Sequence, residues 1–181
     1  MARLVLVNGA PGSGKSTIAQ ALAQETSMTL AWDIDRVKHS LGRWEDDPSA
    51  SGLHARRLTL ALAGEQLNAG FDCVLGQYLA RTPFIEDLER LAERYGARFH
   101  ELVLDLDAGA LAARLADRAA NPDRPEHAVN NQLARPSEAA ELVRTMESLR
   151  RSRPRAIWVD AAGSVSETLR IVRTALETPT S

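Results

Sequence analysis

Hydrophobic residues follow two rhythms along this chain. Five short runs are almost continuously apolar: Leu4 to Val7, Thr29 to Trp32, Cys73 to Leu75, Phe99 to Leu104 and Ala156 to Val159. Unbroken apolar runs of this length, without in-and-out alternation, are expected of strands covered on both faces. Between them the apolar positions recur at helical spacing. Phe84, Ile85, Leu88, Leu91, Ala92 and Tyr95 share one face of a segment that Thr82 caps and Pro83 opens. Leu142, Val143, Met146 and Leu149 mark a second helix. Val165, Leu169, Val172 and Leu176 mark a third, with Ser164 and Glu167 at capping-box spacing. The alternation predicts an α/β fold around a parallel sheet of about five strands.

Two stretches break the rhythm. Arg43 to Ser51 (RWEDDPSAS) reads as a polar loop before a long helical stretch. Asn121 to Pro136 carries three prolines, the neighbours Asn130-Asn131 and two arginines. A loop that long inside a compact domain is either a floppy connection or a working lid. With 181 residues, 44% of them hydrophobic, the chain can bury a full core, and one domain over 1–181 is expected. Within it, about 35–82 is the expected substrate region and about 119–137 the expected lid.

Charge and cysteine content narrow the function classes. A formal net charge of −2 gives no general attraction to nucleic acid or to a membrane surface. The single cysteine, Cys73, sits in an apolar run, which suits a small buried thiol better than a nucleophile. No apolar stretch approaches the ~20 residues of a membrane-spanning helix. The first apolar run is too short for a signal-peptide core. A soluble, cytoplasmic protein is expected, as a monomer or a homodimer.

Candidate chemistry enters at Gly9, Ala10, Pro11, Gly12, Ser13, Gly14, Lys15, Ser16 and Thr17, a full match to G-x-x-x-x-G-K-[ST] between a buried strand and a helix beginning near Gly14. Glycines allow successive backbone N–H groups to turn inward around phosphate oxygens, and a helix N-terminus adds its dipole. Lys15 would reach the β and γ phosphates, and the Ser16 hydroxyl would ligate Mg²⁺. Thr17 would seat the α-phosphate. The cofactors read from this loop are ATP and Mg²⁺.

The second strand runs into Ala31-Trp32-Asp33-Ile34-Asp35-Arg36. Carboxylates two apart at the end of a strand point together toward the crevice where α/β sheets bind ligands. Asp35 is the candidate acceptor for a hydroxyl proton, and Asp33 the candidate to hold magnesium through a water. Alternatively, Asp35 caps a helix over Arg36 to Leu41. No Asn/Thr-Lys-x-Asp guanine-reading segment is present.

Together these features resemble the small P-loop kinases. That group holds shikimate and gluconate kinases, chloramphenicol phosphotransferase, zeta-toxin-like AAA kinases and nucleoside monophosphate kinases. The resemblance implies a three-layer α/β/α P-loop NTPase fold with a five-stranded parallel sheet of order 2-3-1-4-5 and a mobile helical, proline-rich lid. It makes Asp33 and Asp35 the acidic pair. Arg114 and Arg118, in LAARLADR, match its paired arginines, the first stacking on adenine and the second reaching the phosphates. Arg124, in the lid, is a further candidate for stabilising the transferring phosphate. Many relatives carry an aspartate at the end of the third strand, where Gln77 stands here. Leu102 to Asp105 imitates a strand-plus-aspartate motif, but on the wrong side of the first strand, so Asp105 is read as a loop residue.

The acceptor pocket is expected from Asp35 to Leu67, with Gln77 to Arg81 as its far wall. Its candidate contacts are Asp35, Arg36, Trp44, Gln77 and Arg81. The favoured reading is transfer of the γ-phosphate to a hydroxyl of a small molecule such as an antibiotic, a sugar or a nucleoside. The GQYLART segment, faintly like the Gly-Phe-Pro-Arg-Thr of adenylate kinases, keeps a nucleoside monophosphate kinase open. The arginine cluster from Arg150 to Arg155 keeps open a polynucleotide kinase or nucleic-acid-binding ATPase. A non-catalytic ATP-binding protein is the remaining alternative.

Overall fold

The structure is a computed structural model and describes residues 1–120 and 134–177. Strand β1 (Arg3–Gly9) leads into α1 (Lys15–Ala23), β2 (Leu30–Trp32) into α2 (Ile34–His39) and α3 (Pro48–Asn68), and β3 (Cys73–Gly76) into α4 (Pro83–Arg94). Then come β4 (Arg98–Asp105), α5 (Ala108–Ala120), α6 (Ala139–Ser152), β5 (Ile157–Asp160) and α7 (Val165–Glu177). All five apolar runs are strands, and they form one parallel sheet of order β2-β3-β1-β4-β5. That is the order the kinase resemblance implied. Leu4 lies opposite Cys73 and Val7 opposite Gly76, while Trp32 pairs with Leu75 on the other side of β3. The strands read as unbroken apolar runs because both faces are covered: Leu4, Leu6, Leu75, Leu102 and Val103 are fully buried.

Two compact units share the chain. The first comprises residues 1–7, 16–77 and 83–101. Here Arg3 grips Asp72, its Nε and Nη2 donating to Oδ2 at 2.9 and 2.6 Å while its N–H donates to Oδ1 at 2.7 Å. This charge-assisted fork ties the start of β1 to the turn before β3. Burial, with Asp72 adding to it, pushes the Cys73 thiol up to about 12, so the thiolate that reaction requires is suppressed. The stretch read as a polar loop over Arg43 to Ser51 is more ordered than expected. Trp44–Asp46 forms a 3₁₀ turn, and α3 begins at Pro48, where Asp47 accepts from Ser49 N–H at 3.1 Å and Ala50 N–H at 2.9 Å. An aspartate before a proline is a helix start as much as a turn signal, and the cap decided it.

The second unit comprises residues 8–15, 78–82 and 102 onward. Asp105 closes β4 instead of lying in a loop, because it pairs with Arg150 at 2.6 Å and stands opposite Asp160 of β5. Arg150 also binds Glu147 at 2.8 Å and lies over the Trp158 ring at 3.7 Å from its centroid. The capping box opening α7 is as expected: Ser164 N–H donates to Glu167 Oε2 at 2.7 Å, and Glu167 N–H donates to Ser164 Oγ at 3.3 Å. The Ser164 N–H, with the Ser164 hydroxyl donating at 2.8 Å, holds the Glu167 carboxyl below its usual range. Among the described residues no helix is long and apolar enough to cross a membrane.

His100 sits inside β4 of the first unit with 3% of its surface exposed and no hydrogen-bond partner on either ring nitrogen. Burial, then Arg98 and Arg3, disfavours its cation, and Asp72 opposes them only in part. The folded form therefore refuses a proton that the unfolded chain accepts below its ordinary pKa of ~6.5, so stability is lost as pH falls through that value. Urea unfolding should show stability dropping between roughly pH 7 and pH 5 by up to ~1.4 kcal/mol per pH unit from this group. His100→Phe should flatten that decline.

Candidate functional site

In the second unit, β1 ends in a fully buried side chain. The Oδ1 of Asn8 accepts from the N–H groups of Gly9 at 2.8 Å and Leu79 at 2.9 Å, and its Nδ2 donates to Leu79 O at 2.9 Å. The phosphate loop follows. Ser13 N–H donates back to Ala10 O at 3.0 Å, closing a turn, and Gly12 and Gly14 adopt φ of 88° and 94°. Only glycine takes such values without strain. At Gly12 space forbids a side chain as well, since a Cβ would lie 2.9 Å from Leu115 Cδ2 of α5. The loop is seated directly on that helix. Lys15 Nζ lies 3.4 Å from Ala10 O, folded back over the loop. The Ser13 hydroxyl is buried and has no hydrogen-bond partner.

Arg114, on α5, holds this arrangement from the other side. Its Nη1 donates to Ser13 O at 3.0 Å, and its Nη2 donates to Ala161 O at 2.5 Å and Gly163 O at 3.0 Å. Hydrogen bonds occupy the edge of a guanidinium, whereas stacking on a base uses its face. Arg118, one helical turn on, is half-buried, and burial lowers its pKa from the usual value. Arg81 is exposed. Arg124 lies outside the described residues.

Ser16 and Thr17 belong to the first unit, where they form the first turn of α1, half-buried and exposed respectively. The first N–H groups of a helix have no intrahelical acceptor, so Lys15, Ser16 and Thr17 turn theirs toward the loop end. Within the second unit, glycines with left-handed backbone and the Lys15 ammonium form a donor set of the kind that holds phosphate.

The acidic pair also lies in the first unit, and the structure separates its members. Asp33, not Asp35, caps α2: its Oδ1 accepts from Arg36 N–H at 2.7 Å. The helix starts at Ile34, two residues before the expected start, because the aspartate nearest the strand end reaches the N3 amide first. Asp35 is therefore inside the first turn and exposed. Gln77, buried at the end of β3, accepts from Ile34 N–H at 2.8 Å through Oε1 and donates to Asp35 Oδ2 at 3.3 Å through Nε2. Trp44 packs with Lys38 and His39, at 4.7 Å from Nζ to ring centroid and 4.6 Å between rings. Arg36 is exposed. Sequence reasoning missed Asn8 altogether. Its only signal was a lone amide ending a buried apolar run.

This is the nucleotide-binding P-loop fold of the small-kinase type. The model of an AAA domain family matches residues 4–143, and the chain belongs to that family. Two solved structures share the fold. A gluconokinase from Sinorhizobium meliloti 1021 is 21% identical with a TM-score of 0.64, over 95% of this chain and 90% of that one. A candidate kinase from Chloroflexus aurantiacus j-10-fl is 19% identical with a TM-score of 0.63, over 97% and 96%. No curated protein matches this sequence.

Asn8→Ala removes three buried hydrogen bonds and strands the Leu79 N–H and C=O and the Gly9 N–H. Unsatisfied buried groups cost ~1–3 kcal/mol each, so a loss of about 3 kcal/mol is expected. Thermal unfolding should show a midpoint roughly 6–12 °C lower.

Proposed function

We propose that the protein is an ATP-dependent kinase transferring the γ-phosphate to a hydroxyl of a small molecule, with Asp35 as general base. The observation that carries this reading is that no helix cap consumes Asp35. The capping role that could have consumed it belongs to Asp33, and Asp35 stands in the first turn of α2, just past the carboxyl end of β2, whose neighbour β3 leads into Gln77. Loops following the carboxyl ends of parallel strands are where α/β sheets bind ligands.

The roles follow from what phosphoryl transfer requires. The acceptor oxygen forms its bond to the γ-phosphorus as the bond from that phosphorus to the β-bridging oxygen breaks, and the hydroxyl proton passes to the Asp35 carboxylate. Loop amides from Gly9 to Thr17 hold the phosphates, and Lys15 neutralises charge on the β and γ groups. The Ser16 hydroxyl would ligate magnesium, with Asp33 behind it through a water. Magnesium, when bound, supplies charge neutralisation between the phosphates. Arg114 holds the loop by its edge and leaves its face for adenine, and Arg118 and Arg124 serve the phosphates. Arg36, Trp44 and Arg81 line the acceptor side.

A coupled ADP-release assay against hydroxyl compounds and nucleoside monophosphates tests the class and names the acceptor. With the acceptor in hand, Lys15→Ala should abolish transfer and weaken ATP binding. Asp35→Asn should keep ATP affinity, read by calorimetry, while turnover falls ~100-fold or more. Full turnover in Asp35→Asn would overturn the assignment of the base.

A further inference from the structure

We infer that Gln77 is a positioning residue for the proposed transfer: its carboxamide fixes Asp35 in the orientation in which that carboxylate can take a proton. The inference rests on the reading of Asp35 as base and adds a residue to it.

Gln77 is itself held. Its backbone N–H donates to Val7 O at 3.1 Å, extending the β1–β3 ladder by one bond, and its side chain is 9% exposed. The orientation of the amide is dictated by its partners. Ile34 N–H can only donate, so the atom facing it at 2.8 Å is the carbonyl oxygen. The NH₂ group is then left facing Asp35 Oδ2, a partner that accepts. One planar group thus satisfies the first amide of α2 and aims a donor at the carboxylate one residue on.

The consequence for Asp35 is directional. Asp35 is exposed, and an exposed side chain is otherwise free to exchange rotamers. The Gln77 contact engages Oδ2 and is the only hydrogen bond of the Asp35 side chain among the described residues, which leaves Oδ1 to receive the proton. An aspartate or glutamate at position 77 could not do this when ionised, because it would present two acceptors where one acceptor and one donor are needed. An aliphatic residue would leave Ile34 N–H unpaired.

Gln77→Glu provides the test, since protonated glutamic acid reproduces the amide's one acceptor and one donor and the ionised form does not. The ratio of kcat in Gln77→Glu to kcat in wild type should fall at least tenfold from pH 5.5 to pH 8, as the position-77 carboxyl loses the proton it offers to Asp35. Acceptor KM should stay within twofold. The other charged groups are the cap Asp33, Arg36, Lys38 and His39 of α2, and His54, Arg56, Arg57 and Glu65 of α3, which packs on it. They are common to both enzymes, so the ratio removes their titration. A pH-independent ratio would mark Gln77 as structural only, and a raised KM with unchanged kcat would make it a substrate contact. Either result overturns the inference.

Should Gln77→Glu fail to fold, protein with Gln77 intact decides. At one fixed pH, the side-chain amide nitrogen signal of Gln77 should shift between wild type and Asp35→Asn. A signal unchanged by that substitution would refute the contact. The two readings fail separately. Full turnover in Asp35→Asn removes the base and leaves the amide shift intact. An inactive Asp35→Asn with a pH-independent ratio removes only the role of Gln77.

Discussion

Where a buried strand gives way to a loop, the backbone groups that the ladder no longer pairs must find partners away from water. An unmet N–H or C=O there costs as much as several good contacts earn. In this protein carboxamides meet that demand at two strand ends. Asn8, near the end of β1, answers two N–H groups and one carbonyl. Gln77, after β3, answers one N–H and passes a donor on to a carboxylate. A carboxamide suits both places because it carries an acceptor and a donor on one rigid plane without charge, and so avoids the desolvation penalty that an ionised group would incur.

The same economy explains the division of labour among charged residues. Asp33 and Asp35 are chemically alike and two residues apart, yet one closes a helix end and the other lies in the first turn beside an amide. The difference arises from the helix start: a carboxylate at the cap meets the third amide, and one in the first turn points outward. Arg114 likewise gathers three carbonyls of the second unit along the edge of one guanidinium. Arg150 is bound by Asp105, Glu147 and the Trp158 ring, which gives that arginine a structural occupation apart from any polyanion.

Much of the fold could be read in advance, for a physical reason. Parallel strands buried on both faces cannot carry polar side chains, so their runs stand out, and all five strands lie where the apolar runs are. The phosphate loop is equally local, since its backbone geometry demands glycine at Gly12 and Gly14 whatever surrounds them. Helix ends were read less well. Asp33 and Asp35 compete for one cap, and Asp47 before Pro48 reads as turn or helix with equal ease; the competition is settled by which amide comes within reach.

The sequence alone thus determined what depends on near neighbours: strands from unbroken apolar runs, helices from their periodicity, and an anion-holding loop from its glycines, lysine and hydroxyls. Tertiary structure decided what depends on residues far apart in the chain. Asn8 meets Leu79 across 71 positions, and Gln77 meets Ile34 and Asp35 across 43 and 42. Hydrogen bonds of that span leave no periodic trace, because they depend on which strand lies beside which, and the order β2-β3-β1-β4-β5 is a property of the assembled sheet.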